Sequence, residues 1–302
     1  MKKLAVRYAI LALLVSAPTA ATFAQEVVLG VLEDNHGWYA GEPNFRAVRV
    51  VFRKVGFDWK PFPSECGDQQ CLKTIAASYP HEMKWTIAFD GKNMGQITSS
   101  TPSDFKWYAA VGQQEIAGND PVPTVGKPSP EFGGYTEATV YRPLVANSQP
   151  YFKDPEEWKA AKPSPDLTSV LRKAFRQQFP KLCRLGGPEH NRMDAFPYRD
   201  QEVAVVKAYA SRLGWTIARL HLQAVDCADT EAGFDIDDPW FAIAPSRSAI
   251  HLDDGMWLVD AGDYDNDGKS ELVFSIDRDN RGGYELFYDN FKRHVSFEFN
   301  YH

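Results

Sequence analysis

Several things are scarce or missing in this sequence. Past residue 24 there is no apolar run of the roughly 18–20 residues that a membrane-spanning helix needs. Basic residues are in the minority: 33 Lys and Arg stand against 40 Asp and Glu, for a net charge of −7. That excludes a protein whose main business is gripping nucleic-acid phosphates through a basic face. Four cysteines are too few for a disulfide-dense scaffold. None of the seven histidines stands at H-E-x-x-H or H-x-H spacing, and none lies at ligand distance in sequence from a cysteine pair, so zinc chemistry has no motif. A G-x-S-x-G nucleophile elbow and a G-x-x-x-x-G-K-[ST] phosphate loop are also missing.

The first thing present is an address. Lys2, Lys3 and Arg7 precede the apolar run 8–15, and Thr22-Phe23-Ala24 forms a small-residue cleavage site before Gln25. Residues 1–24 therefore read as a secretory signal peptide, and the mature chain, 25–302, is expected in the periplasm or outside the cell, with no integral span. Export permits disulfides. Cys66 and Cys71 flank a short turn with Gly67, which favours Cys66–Cys71 and leaves Cys183–Cys227 as the second pair.

Aromatic residues reach 13% of the chain, and most of it reads as short strands between turns. Expected strands cover 27–33, 48–52, 57–62, 85–89, 94–97, 105–111, 137–145, 202–210, 215–223, 239–244, 248–252, 256–261, 271–276, 283–288 and 294–301. Asp90-Gly91 is hairpin-turn chemistry between two of them. In the last, Val295, Phe297, Phe299 and Tyr301 alternate with polar residues, as on a half-buried strand. One helix is well marked: Ser164-Pro165-Asp166 caps an apolar stripe through Phe179, and Pro180 ends it. A shorter helix fits 70–78. Residues 118–134 read as a loop, and 147–180 as a linker or helical insertion. The fold class is therefore all-β or β-rich. Two β-rich domains joined by the helix, 25–150 and 180–302, are the alternative division.

The sharpest motif lies in Gly262-Asp263-Tyr264-Asp265-Asn266-Asp267-Gly268-Lys269-Ser270-Glu271. Carboxylates at alternate positions turn inward when a loop wraps a hard cation, and the glycine at the sixth position permits the sharp turn. Oxygen donors of this kind select Ca²⁺. An EF-hand is excluded, because its twelfth position would be Phe274 and its flanks are strand-like. The expected ligands are Asp263, Asp265, Asp267, the Lys269 carbonyl and Glu271, with Asp260 as an outer partner. This strand–loop–strand pattern resembles the FG-GAP/VCBS-type calcium loop of integrin-like β-propellers, with Glu271 in place of the usual aspartate. The chain also resembles secreted bacterial proteins that end in one such repeat, here 239–302. The resemblance implies a propeller-like arrangement, with the helix as an insertion and the final strand closing the ring beside the first strands. The ion it implies is structural.

The surrounding region is acidic: residues 226–289 hold 17 Asp and Glu against four Lys and Arg. Asp235, Asp237 and Asp238, and then Asp253 and Asp254, read as solvated turns. As a paired-carboxylate centre they would instead make a secreted glycan hydrolase. Trp38-Tyr39, Trp107-Tyr108 and Trp240-Phe241 are core aromatics or flat faces for sugars. The favoured reading is an exported binding or structural module with a calcium-stabilised hairpin, its partner a glycan or a protein. The hydrolase is the alternative.

Overall fold

The computed structural model describes residues 26–35, 45–119, 121–132, 139–150, 152–180, 182–184, 194–196, 199–222, 238–278 and 280–300. Across these residues the protein is β-rich, with two α-helices, as the sequence predicts.

The N-terminal part is a closed ring. Its strands are β1 (Val28–Asn35), β2 (Phe45–Val55), β3 (Asp58–Pro61), β4 (Glu82–Phe89), β5 (Lys92–Ser100), β6 (Gln113–Ala117) and β7 (Leu144–Asn147). The order β1-β7-β4-β5-β6-β2 closes because β1 also pairs with β2, and β3 extends the far end of β2. Closure leaves the ring itself without a free edge. Inside are Leu32, Val48, Val50, Trp85 and Ile87, all fully buried. Helix α1 (Gln69–Ala76) packs Leu72 and Ile75 into the same core, and the Asp68 side chain caps it by accepting from Cys71 N. The expected Cys66–Cys71 disulfide ties the segment before this helix to its first turn.

A second sheet has the order β14-β13-β12-β11-β8. Its members are β8 (Lys159–Ala160), β11 (Val203–Ala210), β12 (Thr216–Leu222), β13 (Trp240–Ile243) and β14 (Ala249–Asp253). Helix α2 (Pro165–Gln178), capped by Ser164, lays Leu171 and Phe175 against Ala218, Leu220 and Phe241 on one face of this sheet. β9 (Leu182–Arg184) and β10 (Asp194–Phe196) form a separate two-stranded pair.

The third sheet is a four-stranded meander: β15 (Met256–Gly262), β16 (Glu271–Arg278), β17 (Arg281–Tyr288) and β18 (Arg293–Asn300). It is the middle layer. Val273, Tyr284, Leu286 and Phe297 join the barrel core on one face. Leu272, Phe274, Ile276 and Phe287 meet Ile217 and Trp240 of the five-stranded sheet, and Trp158 just before β8, on the other. This double burial explains why β16 and β17 read as near-continuous apolar runs rather than alternating ones.

The sheets have seven, five, four and two strands among the described residues, so they do not divide into equal blades. Only the meander has the form of a four-stranded blade. β18 hydrogen-bonds to β17 and packs against the barrel, where Arg293 pairs with Asp58; it does not pair with β1. The strand expected at 105–111 is instead a loop with one 3-10 turn at Tyr108–Ala110, anchored by buried Phe105. β6 and the short strands β8, β9 and β10 have no counterpart among the expected strands.

Candidate metal centre

β15 and β16 carry the acidic loop where the meander meets the barrel and the segment that leads into the five-stranded sheet. Asp263 is buried, and its backbone N–H donates to Lys153 O at 2.8 Å, tying the loop to the segment that precedes β8. Its carboxylate accepts from Asp267 N and Gly268 N, each at 3.0 Å. Asp265 Oδ1 accepts from Asp267 N at 3.1 Å, and Asp267 Oδ1 from Lys269 N at 2.8 Å. Left-handed backbone at Asn266 (φ 61°) and Gly268 (φ 88°) winds the chain tightly enough for these contacts. One carboxylate oxygen from each of Asp263, Asp265 and Asp267 lies within 4.8 Å of the other two.

Glu271 stands outside that trio. It is 2% exposed, and its Oε2 accepts from Tyr264 N at 2.8 Å. Burial pushes its carboxyl well above the ordinary range, helped by the charges of Asp265, Asp267 and Asp263. Burial also raises Asp263, against the pull of the Gly268 N–H, and Asp265 and Asp267 raise it further. The Lys269 side chain points away from the trio, to Asp289 Oδ1 at 2.8 Å.

Two acidic residues of this centre are absent from the sequence reading. Asp154 Oδ1 accepts from Ser270 Oγ at 2.6 Å and from Glu156 N at 3.0 Å, while its Oδ2 accepts from Trp158 N at 2.6 Å. Buried Glu156 accepts from Ser270 N at 3.4 Å, and burial, then the charges of Asp154 and Asp267, raise its carboxyl. The only local signal is the turn chemistry of Asp154-Pro155; nothing in it indicates a contact more than 110 residues away. Lys54 is the third residue the sequence did not indicate: it reaches from β2 to pair with Asp265 Oδ2.

The loop is clamped from below as well. Tyr264 is fully buried, stacks on Phe152 with centroids 5.3 Å apart, and receives Asn147 Nδ2 on its carbonyl at 3.0 Å. Its hydroxyl donates to Asp260 Oδ2 at 3.3 Å, and Asp90 N donates to Asp260 Oδ1 at 2.9 Å. Burial pushes the Asp260 carboxyl up to about 7. Asp260 is thus the joint between the β4–β5 turn of the barrel and the floor of the loop.

The donor set is hard oxygen throughout, with carboxylates on the first, third and fifth loop positions, and it suits a calcium-sized cation. Asp263, Asp265 and Asp267 would hold such an ion, and Glu271 is the nearest further carboxylate.

The other sequence candidates are placed differently. Trp240 and Phe241 are core residues and present no flat face to solvent. Trp107 is exposed, and Trp38-Tyr39 lie outside the described residues. Asp253 pairs with Arg278. Asp238 pairs with Arg219 at 2.7 Å and meets His221 Nδ1 at 2.7 Å. Asp235, Asp237, Cys227 and the leader 1–24 lie outside the described residues, and with Cys227 the second disulfide. Among the described residues no helix is long and apolar enough to cross a membrane. No protein-family model, no curated protein and no solved structure significantly matches the chain.

Proposed function

We propose that this is an exported binding or structural module of the periplasm or extracellular space, with a structural Ca²⁺ held by Asp263, Asp265 and Asp267. Glu271 and the Lys269 carbonyl complete the ligand set. The observation that carries the reading is the convergence of three aspartate carboxylates within 4.8 Å where the meander meets the barrel, with buried Glu271 beside them. Four acidic groups this close repel one another, and a divalent cation removes that cost. The likeness of the loop to FG-GAP/VCBS-type calcium loops supports the same reading, as does the Cys66–Cys71 disulfide, which belongs to an oxidising compartment.

The ion's role here is cohesion. It would lock the β15–β16 loop, and through it the 152–158 segment and the barrel. Asp238, Asp253 and Glu285 are each engaged by a basic partner, which favours a structural role for the acidic region over a paired-carboxylate hydrolase. Extracellular calcium modules bind with Kd of roughly 10⁻⁴–10⁻³ M. At about ten times Kd the ion adds about 1.4 kcal/mol of stability.

The test is elemental analysis of the purified mature protein, with thermal melts in EDTA and in calcium chloride. Calcium near one equivalent and a lower Tm in EDTA are expected. No calcium and superimposable melts would overturn the assignment.

A further inference from the structure

Among the described residues, Lys54 is the one basic side chain in an ion pair with the aspartate trio. It belongs to β2 of the barrel, far from the loop in sequence, and its register partner is Trp59 on β3. The ammonium lies 5.1 Å from the Trp59 ring centroid and 5.7 Å from that of Tyr288, so two aromatic faces steer it toward the loop. It ends on Asp265 Oδ2, and the Asp265 side chain is only 4% exposed. Lys269, although inside the loop, spends its charge on Asp289. The loop therefore meets a cation that the chain itself supplies.

We propose that Lys54 is the resident counter-charge of the loop and competes with calcium for Asp265. This rests on the calcium reading and adds a residue that sets the affinity. In the metal-free protein Lys54 offsets one of the clustered charges and holds the loop against the barrel. A divalent cation at the trio lies close to the ammonium, and at such distances two like charges repel strongly. Calcium therefore binds with Lys54 displaced from Asp265, and the displacement keeps the affinity low. Removing the charge makes calcium bind more tightly and leaves the metal-free loop with its full repulsion.

The test uses the full mature chain and Lys54→Met, which keeps the unbranched stem against Trp59 and Tyr288. Calcium chloride is titrated into both by calorimetry after chelation. Lys54→Met is expected to bind about tenfold more tightly or better, and to melt below the wild type in EDTA. A second measurement needs no variant. Labelling of wild-type Lys54 by an acetylating amine reagent, read by peptide mass spectrometry, is expected to rise about threefold or more on adding calcium, with exposed Lys60 as the unchanged reference. If wild type and Lys54→Met bind calcium equally and Lys54 labelling does not change, the counter-charge role is wrong while the calcium site stands. If neither protein binds calcium, the calcium reading fails and takes this inference with it. Should Lys54→Met not fold, the labelling result alone decides.

Discussion

Two buried charge centres flank the interface between the barrel and the meander, and they are balanced differently. In the first, Arg49 Nε donates to Glu33 Oε1 at 2.6 Å and Nη2 to Glu33 Oε2 at 3.0 Å. The rest of that guanidinium donates to the carbonyls of Ala109 and Val111 and lies 3.9 Å from the Phe299 ring centroid. Glu33 also accepts from Tyr284 Oη at 2.8 Å and Gln113 Nε2 at 3.0 Å. Here the chain provides anion and cation in equal number and satisfies both. In the second, Asp263, Asp265, Asp267 and Glu271 share one chain-borne cation among the described residues, Lys54. A self-balanced centre holds layers together under all conditions. An unbalanced one makes cohesion depend on what the solvent supplies.

The largest expected effect breaks the balanced centre. Arg49→Met strands the Glu33 carboxylate in a dry site and should cost about 3–5 kcal/mol in urea unfolding. Adding Glu33→Gln should recover part of that loss, because the second change removes the uncompensated charge. A cost below about 1 kcal/mol, as for a surface pair, would mean that water reaches the centre and that the contrast is false.

Next comes pH, acting on the unbalanced side. Burial lifts the Asp260 carboxyl from 3.8 to about 7, so the fold favours its protonated form. The stability it contributes is complete below the ordinary value of 3.8 and is lost as pH rises through about 7. Urea unfolding in EDTA should therefore show stability falling by up to about 4 kcal/mol between pH 4 and 8. Glu271, Asp263 and Glu156, all raised as well, contribute with the same sign. Asp260→Asn should flatten a large part of the slope. A variant with the full slope would show that Asp260 does not carry it.

How much of this could be read from the sequence follows from distance along the chain. The aspartates of the loop, the Asp90-Gly91 turn, the Ser164 cap and the Cys66–Cys71 bridge each lie within a few residues, and local stereochemistry fixes them. Barrel closure depends on β7, a four-residue strand whose partners in β1 lie more than 100 residues earlier, and no periodicity reports such a pairing. The same holds for Lys54, Asp154 and Glu156, whose side chains look like ordinary surface charges until the layers bring them to the loop. Trp240-Phe241 is legible for another reason: large aromatics dominate burial in β folds, and the pair is buried between two layers.

A smaller effect tests the seat of the loop. Gly262 packs so closely on Phe152 that an added Cβ would lie 2.1 Å from the ring. Gly262→Ala must push the ring off Tyr264 or shift β15, at about 1–3 kcal/mol. Calcium should offset part of that loss if the ion and the 152–158 segment act on the same loop. An equal loss in EDTA and in calcium would separate them.

The smallest effect is the most discriminating, because its sign reverses. Asp267 is the exposed member of the trio, and Asn at this position keeps an oxygen for the Lys269 N–H. In EDTA, Asp267→Asn removes one charge from a crowded cluster and should stabilise by a few tenths of a kcal/mol, about the scale of other exposed charge pairs. In calcium it removes a ligand and should destabilise, erasing most of the roughly 1.4 kcal/mol that the ion adds. Glu33→Gln, made alone, should destabilise by the same amount in both media, because its partner is covalently part of the chain. Paired melts of the two variants, with and without calcium, set the centres side by side. If Asp267→Asn destabilises equally in both media, the loop is balanced without a metal, as the Glu33–Arg49 centre is, and the distinction between them disappears.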